Sequence, residues 1–216
     1  MEILTRDGFI SFLYFLPALL LSLSIHEFGH AFVAYKLGDK SQKELGRLTI
    51  APFAHMDWMG FICIVLFGFG WGKPVMVDDR NFKKRGRDNM LVSLAGPLSN
   101  IILAIVFTIV IKALWMCGIS EATVTSKVGL ALLDMLWIAI IFNVTFAAFN
   151  LIPLPPFDGS KVLYYFLPYG GKKFMDKLER YSIYIILFLV ITDIYQFIIL
   201  PIDIGLSWLI NFILML

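Results

Sequence analysis

The chain has 216 residues, of which 59% are hydrophobic and 16% are charged, and its mean hydropathy is +0.82. Soluble domains carry ~25% charged residues, so this composition excludes an ordinary soluble protein and predicts an integral membrane protein. The formal net charge of +2 says little by itself, and no nucleic-acid partner is expected. The two cysteines, Cys63 and Cys117, are far apart, so neither a disulfide framework nor a cysteine zinc site is indicated.

The first predicted membrane segment, residues 9–37, contains the motif H-E-F-G-H. Residues i and i+4 share one face of an α-helix, so His26 and His30 can bind one metal ion, with Glu27 placed to act as a base. Such polar side chains inside a membrane-length segment are costly unless they are used, which favours a metal site over chance. The segment lacks a basic n-region and an A-x-A-like cleavage site, so we expect a retained spanning helix and not a signal peptide.

The region that follows is predicted to form a small element beside the first helix. Residues 45–53 alternate imperfectly between apolar and polar side chains, which is typical of a short strand. His55 and Asp57 are interpreted as a structural or gating pair. The apolar stretch 58–72 is short for a span and rich in glycine, so we expect a re-entrant, interfacial or strand-like segment and not a crossing helix.

Two further membrane segments are predicted at about 89–116 and 128–150, joined by the short loop 117–127. The earlier of the two contains the motif A-G-P-L-S-N at residues 95–100. Its small residues allow close helix approach, and Pro97 is expected to kink the helix.

The third segment is followed by N-L-I-P-L-P-P-F-D-G-S, which ends at residue 160. The prolines end the helix and hold the backbone extended, and a short helix is predicted over 158–167. A fourth segment is expected at about 181–200, ended by Pro201. The apolar tail, 202–216, is expected to be a half-helix or part of a bent last span.

Basic residues cluster in the stretches 36–47, 73–88 and 169–180, whereas the N-terminus and the loop 117–127 are not basic. If 58–72 does not cross, all three basic stretches share one side, which the positive-inside rule makes the cytoplasm. The N-terminus then lies outside, and the two histidines lie toward the cytoplasmic face. If 58–72 crosses, two basic stretches oppose each other, which fits the rule less well.

A catalytic zinc site commonly has three protein ligands, and no third histidine lies near the pair in sequence. Asp158 is favoured because it follows the rigid proline run at the end of the third segment, at the depth expected for His26 and His30. The alternative role for Asp158 is a helix N-cap. The other candidates for the third ligand are His55, Asp57, Asp134, Asp193 and Asp203.

Three motifs together resemble those of the site-2 protease family of intramembrane zinc metalloproteases. They are H-E-F-G-H, A-G-P-L-S-N and N-L-I-P-L-P-P-F-D-G, in that family's order, and the resemblance covers roughly residues 9–168. It implies zinc ligation by His26, His30 and Asp158, with Glu27 as the catalytic base. The family's usual L-D-G reads F-D-G here, which leaves the ligand in place. The chain resembles compact members that lack a PDZ domain.

Asparagines supply the remaining candidate site residues. Asn150 is the predicted substrate or oxyanion contact, because its place in the third motif resembles a substrate-contacting asparagine of the family. Its alternative is a hydrogen bond at the helix C-terminus or between helices. Asn100 and Asn143 are interpreted as interhelical polar contacts. A strand-like element in residues 45–77 is expected to pair with an unwound substrate by β-addition, and a polar cavity must bring water to the site.

These features predict one all-α membrane protein domain over residues 1–216. We expect a polytopic helical bundle of about five to six transmembrane segments, with a small re-entrant or β-like element after the first helix. The core is predicted at 9–168, with C-terminal helices over 181–216.

The predicted function is an intramembrane zinc metalloprotease that binds one Zn²⁺ per chain and cleaves membrane proteins within or near their transmembrane segments. The predicted setting is the lipid bilayer of a prokaryotic plasma membrane, with the site toward the cytoplasm. The rival interpretation is a non-proteolytic zinc-binding membrane protein. As a transporter it would need further ligands along a path across the membrane, and as a scaffold it would have no use for Glu27.

Overall fold

The computed structural model describes residues 6–67, 70–192 and 194–215, and within these ranges the regular structure is helical, with no strand. The prediction of an all-α architecture is therefore confirmed for the described residues. A short 3-10 helix spans Asp79–Asn81. The α-helices are, in chain order, α1 (Arg6–Leu37), α2 (Ser41–Glu44), α3 (Pro52–His55), α4 (Trp58–Phe67), α5 (Arg85–Met116), α6 (Lys127–Asn150), α7 (Asp158–Phe166), α8 (Tyr169–Glu179), α9 (Ser182–Thr192) and α10 (Tyr195–Met215).

Three of these helices are long and apolar enough to cross a membrane: Ile10–Leu37 of α1, all of α5 and all of α6. They correspond to the first three predicted membrane segments, and their length and composition are those of a membrane protein. The predicted count of five to six spans is higher than these three and stays a prediction. Helix α9, with 11 residues, is too short to cross ~30 Å of hydrocarbon by itself.

The three long helices pack together. Helix α5 is antiparallel to α1, and α6 is parallel to α1. His26 of α1 contacts Asn100 of α5, whereas His30, one turn later on α1, contacts Val92, two turns earlier on α5. The aromatic contacts between α1 and α6 run in the same direction along both helices. The C-terminal ends of α1 and α6 therefore lie at the same end of the bundle as the N-terminal end of α5.

Glycines set the close distance between α1 and α5. A Cβ atom at Gly29 would lie 2.7 Å from the carbonyl oxygen of Ala95. A Cβ atom at Gly96 would lie 2.5 Å from Nε2 of His30 and 2.7 Å from Cε1 of His26. Both sets of distances are shorter than real Cβ contacts, so the two helices approach this closely only because these positions lack a side chain.

The end of the bundle at which α1 and α6 finish and α5 begins is called the basic end. The stretches 36–47 and 73–88 adjoin this end directly, and 169–180 follows α7, which packs against α5. The loop 117–127 joins α5 to α6 at the opposite end. This is the arrangement that the positive-inside rule favours, and it requires that α4 does not cross the membrane.

Residues 73–78, called the crossing segment, are non-helical and are held through their backbone by side chains of neighbouring elements. Arg47 and Gln42 donate hydrogen bonds to carbonyl oxygens of the segment, and the buried Asp39 accepts the N–H of Asp78 at 2.9 Å. Burial alone would raise the pKa of Asp39, but its N–H donors hold that pKa below the ordinary value. A charged Asp39 therefore anchors the crossing segment at the basic end.

No strand forms over residues 45–53, so that prediction is wrong. Gly46 adopts a positive φ of 68°, and Pro52 begins helix α3, where its missing N–H is not needed. Both residues interrupt the alternating pattern that suggested a strand. Within the described part of the chain, the β-like structure is limited to one antiparallel bridge between Met56 and Gly72.

The apolar stretch 58–72 contains the ten-residue helix α4 and then returns to its starting point. At 1.5 Å per residue α4 is ~15 Å long, about half the hydrocarbon thickness of a bilayer. The N–H of Lys73 donates to the carbonyl oxygen of His55 at 2.8 Å, so the two ends of the stretch are adjacent. This is the geometry that a re-entrant segment requires, and its depth in the membrane stays a prediction.

The predicted fourth segment, 181–200 ended by Pro201, is wrong in its boundaries. Helices α9 and α10 divide it, and Pro201 lies inside α10. Ile199 and Ile210 of α10 belong to buried apolar clusters on either side of that proline. Their packing against the rest of the bundle offsets the hydrogen bond that proline cannot make.

The topology is testable with single cysteines in a background that lacks Cys63 and Cys117. Cysteines at Lys43, Lys84 and Lys173 should share one accessibility pattern toward a membrane-impermeant thiol reagent, because all three positions belong to the basic end. A cysteine at Ser120, in the loop at the opposite end, is the control and should show the reverse pattern. Opposite accessibility of positions 43 and 84 would mean that α4 crosses the membrane.

Candidate metal centre

Two histidines of α1 meet an aspartate at the start of α7. The Nε2 atoms of His26 and His30 are 3.0 Å apart. Oδ2 of Asp158 lies 3.2 Å from Nε2 of His26 and 3.1 Å from Nε2 of His30. The three side chains are only 5%, 11% and 12% exposed, so three polar atoms converge almost out of contact with water. We call these side chains the His-His-Asp centre.

Asp158 reaches the histidines because the chain turns sharply between α6 and α7. Phe157 adopts an extended conformation and packs against Phe149 of α6, with ring centroids 4.5 Å apart. A Cβ atom at Gly159 would lie 2.6 Å from the carbonyl oxygen of Ile152, so α7 begins directly against the end of α6. Phe157 occupies the N-cap position of α7, and the carboxylate of Asp158 faces the histidines instead of capping the helix.

Hydrogen bonds behind the two imidazoles determine which ring nitrogen carries the proton. Nδ1 of His26 lies 2.7 Å from Oδ1 of Asn100, and Nδ1 of His30 lies 2.7 Å from the carbonyl oxygen of Val92. Both partners are oxygens that accept, so in the neutral rings Nδ1 carries the proton and Nε2 carries a lone pair. Both lone pairs then face Asp158, whose Oδ2 has no hydrogen-bond partner in the described part of the chain.

A zinc ion fits among these three atoms. Without a cation, two lone pairs and a carboxylate oxygen only 3.0–3.2 Å apart repel one another in a buried place. A tetrahedral zinc site with ligand distances of ~2.0–2.1 Å places its ligand atoms about 3.3–3.4 Å apart, close to this spacing. Two imidazole nitrogens and one carboxylate oxygen are also a donor set that catalytic zinc sites use.

Glu27 borders the centre without belonging to the three converging side chains. It follows His26 on α1, is partly buried, and its Oε2 accepts the N–H of Val75 at 2.8 Å. Val75 lies in the middle of the crossing segment. A backbone donor fixes the direction of the carboxylate, so Glu27 and the crossing segment together form one side of the site.

A cavity of about 510 Å³ adjoins the centre at the basic end. It is lined by Val75, whose N–H binds Glu27, by Val92, whose carbonyl binds His30, and by Ser160 of α7. The charged side chains on its wall are those of Asp79, Lys161, Asp176 and Glu179. The cavity therefore ends at residues that neighbour or hydrogen-bond to the centre, and its wall is not formed by His26, His30, Asp158 or Glu27.

The structure does not bring every predicted site residue to the centre. The amide of Asn150 donates to the carbonyl oxygen of Phe146 in its own helix, at 3.0 Å. This is a hydrogen bond at the helix C-terminus, the alternative role considered for Asn150. His55 is fully buried and its Nε2 lies 2.8 Å from the carbonyl oxygen of Thr49. Asp57 instead accepts the N–H of Gly60 at the start of α4, so the two make separate hydrogen bonds.

Of the remaining candidates for the third ligand, the structure describes the side chain of Asp134 only. Asp134 is exposed in the first half of α6, toward the opposite end from the centre. Asp193 lies outside the described residues, and the side chain of Asp203 is not described.

Three contacts around the centre were not predicted. Val75 and Val92 act through backbone groups, so their side chains carry no signal of these roles. The contact of Asn100 with His26 had a signal, because a buried asparagine inside the small-residue motif of a membrane helix needs a polar partner. Its partner depends on how α1 packs on α5.

A sequence model of peptidase family M50 matches residues 14–192, which is most of the chain and includes the whole His-His-Asp centre. The chain belongs to peptidase family M50. This is the site-2 protease family, so the resemblance carried by the three motifs is confirmed.

The chain is similar to several curated proteins, and three of them are named as putative zinc metalloproteases. It is 37% identical over 188 residues to "Putative zinc metalloprotease YwhC" of Bacillus subtilis, covering 87% of this chain and 84% of that one. It is 29% identical over 186 residues to "Putative zinc metalloprotease Rip2" of Mycolicibacterium smegmatis, covering 84% and 68%. It is 33% identical over 141 residues to "Putative zinc metalloprotease MJ0611" of Methanocaldococcus jannaschii, covering 64% and 62%. No solved structure matches the chain.

Metal analysis tests the ligand set of the His-His-Asp centre. Purified wild-type protein should contain close to one zinc per chain, and His26→Ala and Asp158→Ala should lose most of it, because each removes one of three ligands. Asp134→Ala removes an exposed carboxylate elsewhere in the bundle and serves as the control that keeps zinc. Retention of zinc by Asp158→Ala would assign the third ligand to another residue.

Gly96→Ala tests the close approach of α5 to the imidazoles. The added methyl would lie 2.5 Å from Nε2 of His30, so one ring or the helix must shift. Overpacking by a methyl group typically costs about 1–3 kcal/mol, so zinc affinity should fall by about tenfold or more in a chelator competition. Gly86→Ala, also on α5, makes only ordinary contacts with Tyr165 and should keep wild-type affinity. Equal affinities of the two variants would contradict the packing argument.

Proposed function

We propose that this chain is an intramembrane zinc metalloprotease that hydrolyses peptide bonds within or near transmembrane segments of membrane-protein substrates. The observation that carries the proposal is the His-His-Asp centre, with Glu27 beside it, in a long apolar helix of an M50 family chain. The relatives that are named as putative zinc metalloproteases support the same activity and the same metal. The proposed count of one ion per chain rests on the His-His-Asp centre.

Each polar residue of the site has a proposed task. His26, His30 and Asp158 hold the zinc ion, which when bound lowers the pKa of water toward ~7 and polarises a carbonyl group. Glu27, next to His26, takes a proton from the attacking water and delivers it to the leaving amine. Asn150, at the end of α6, is the proposed contact for the substrate carbonyl once its amide leaves the helix.

The crossing segment is proposed to bind the substrate backbone. Peptide bonds within a helix are shielded, so a transmembrane substrate must unwind before it can be cut. The crossing segment is non-helical, and the N–H and C=O of Val77 have no hydrogen-bond partner in the described part of the chain. These free groups support β-addition of an extended substrate beside Glu27.

The proposed location is the plasma membrane of a prokaryote, with the centre toward the cytoplasm. Three basic stretches at one end of the bundle support this orientation. At 1.5 Å per residue, His26 and His30 lie roughly 10–17 Å along α1 from the basic end, which is within the membrane but displaced toward that side. The cavity at the same end supports water entry from the cytoplasm.

The rival function, zinc transport or a structural zinc site, has less support. A transporter needs further ligands on a path across the bilayer. Among the described residues, the His-His-Asp centre is the one group of histidine, cysteine, aspartate or glutamate side chains close enough to hold a metal. A structural site would leave Glu27 without a task.

Glu27→Gln separates the protease from its rival. Glutamine keeps the size and polarity of the side chain but removes the base, so zinc content and folding should be nearly unchanged. Proton transfer by a positioned carboxylate contributes typically ~10²–10⁴-fold, and cleavage of a single-span substrate in detergent or liposomes should fall by that order. Glu44→Gln, at an exposed position of α2, is the matched control and should cleave like the wild type.

Two results would contradict the proposal. Equal cleavage by wild type and Glu27→Gln would remove Glu27 from the mechanism. Absence of cleavage by zinc-loaded wild type, across a broad library of single-span substrates, would favour the non-proteolytic function.

A further inference from the structure

Two buried asparagines link the zinc site to helix α6. Asn100 of α5 and Asn143 of α6 are both fully buried. Nδ2 of Asn100 donates to Oδ1 of Asn143 at 2.8 Å and to the carbonyl oxygen of Ser22 at 3.0 Å. Nδ2 of Asn143 donates in turn to the carbonyl oxygen of Ala139 at 2.8 Å.

The direction of this chain of hydrogen bonds is fixed at its far end. The carbonyl oxygen of Ala139 can only accept, so Asn143 must turn its NH₂ toward Ala139 and its oxygen toward Asn100. Asn100 must then turn its NH₂ toward Asn143. The carbonyl of Ser22 requires the same orientation independently.

The orientation of Asn100 determines the tautomer of His26. With its NH₂ used in this way, Asn100 presents Oδ1 to Nδ1 of His26 at 2.7 Å, and an oxygen there requires a proton on Nδ1. Nε2 of His26 is then free of a proton and faces Asp158 and the other histidine. A flipped Asn100 would instead set two oxygens against each other at Ser22 and favour a proton on Nε2, where it would block metal binding.

We propose that Asn143 and Asn100 are positioning residues that hold His26 in the Nδ1–H tautomer and so keep its Nε2 available to the metal. Asn143 acts from a second helix and through Asn100. We call this chain of hydrogen bonds from Asn143 through Asn100 to His26 the asparagine relay. His30 needs no such relay, because the backbone carbonyl of Val92 sets its tautomer directly. The metal affinity of the site therefore depends on the packing of α6 against α5 as well as on the ligands themselves.

A role that merely joins the helices makes a different prediction for one pair of substitutions. Asn100→Leu removes both the acceptor for His26 and the two donated bonds. Asn100→Asp keeps an acceptor for His26 but replaces the donor by an oxygen that faces Ser22 and Asn143. A helix-joining role is lost in both variants, whereas the positioning role is lost only in Asn100→Leu.

The first measurement is zinc affinity of the full-length protein in detergent, by competition with a chelator. Partners that orient a metal-bound histidine typically contribute ~10–100-fold, so Asn100→Leu should bind zinc that much more weakly and Asn100→Asp within a few-fold of wild type. Asn143→Leu should weaken binding by less than Asn100→Leu. Thr108→Val, which removes another fully buried polar group of α5, is the control and should match wild type.

The second measurement determines the histidine tautomers directly. The chain has three histidines, so ring ¹⁵N shifts of the metal-free protein at a pH well above 6.5 report each neutral tautomer. His26 and His30 should carry the proton on Nδ1. His55 should carry it on Nε2, which lies 2.8 Å from the carbonyl oxygen of Thr49, and it provides an internal reference. In Asn100→Leu, which removes the acceptor, the signal of His26 alone should become a mixture of tautomers. In Asn143→Leu the bond to Ser22 still orients Asn100, so His26 should stay mainly protonated on Nδ1.

The inference rests on the zinc site of the proposed function, but the two fail separately. A proton on Nε2 of His26 in the metal-free wild type, or equal zinc affinity of folded Asn100→Leu and wild type, would overturn the positioning role. Equal loss of affinity in Asn100→Asp and Asn100→Leu would reduce the asparagines to helix joining. A protein that binds zinc with these dependences but cleaves no substrate would leave the relay standing and refute the protease.

Discussion

The structure depends on holding two imidazoles and a carboxylate within 3.2 Å of one another inside an apolar helix bundle. Groups with lone pairs repel at this distance in a place with little water, so they need a cation in front and acceptors for the ring protons behind. Asn100 and the carbonyl of Val92 supply the acceptors. Gly96 supplies the space, because any side chain there would overlap the rings.

The same constraint explains how the rest of the chain is arranged. The centre needs a third ligand from outside α1, and the turn after α6 delivers it, with Phe157 packed on α6 and Gly159 in contact with the backbone of Ile152. A site that hydrolyses peptides also needs access for water and for an unwound chain. The crossing segment and the cavity lie at the basic end, beside the polar loops. Under the proposed function, metal binding and substrate access would therefore meet at one end of the bundle.

Features set by local sequence could be predicted, and features set by packing could not. The H-E-F-G-H motif, the ends of α1, α5 and α6 and the short helix at Asp158 follow from apolar length, helical spacing and proline. The strand over 45–53 failed because Gly46 and Pro52 outweighed a weak alternation, and Pro201 did not end α10 because packing outweighs one lost hydrogen bond. Asp158 was one of several candidates until the family motif was considered. The contacts of Val75, Val92 and Asn100 join residues about 50 to 75 positions apart, and two of them use backbone groups.

The central claim is that the His-His-Asp centre holds a zinc ion, and X-ray absorption at the zinc edge of the purified protein tests it most directly. The predicted spectrum has two imidazole rings and oxygen ligands at ~2.0–2.1 Å, with no sulfur, since Cys63 and Cys117 take no part. A sulfur ligand at ~2.3 Å, or scattering from a single imidazole, would contradict the account.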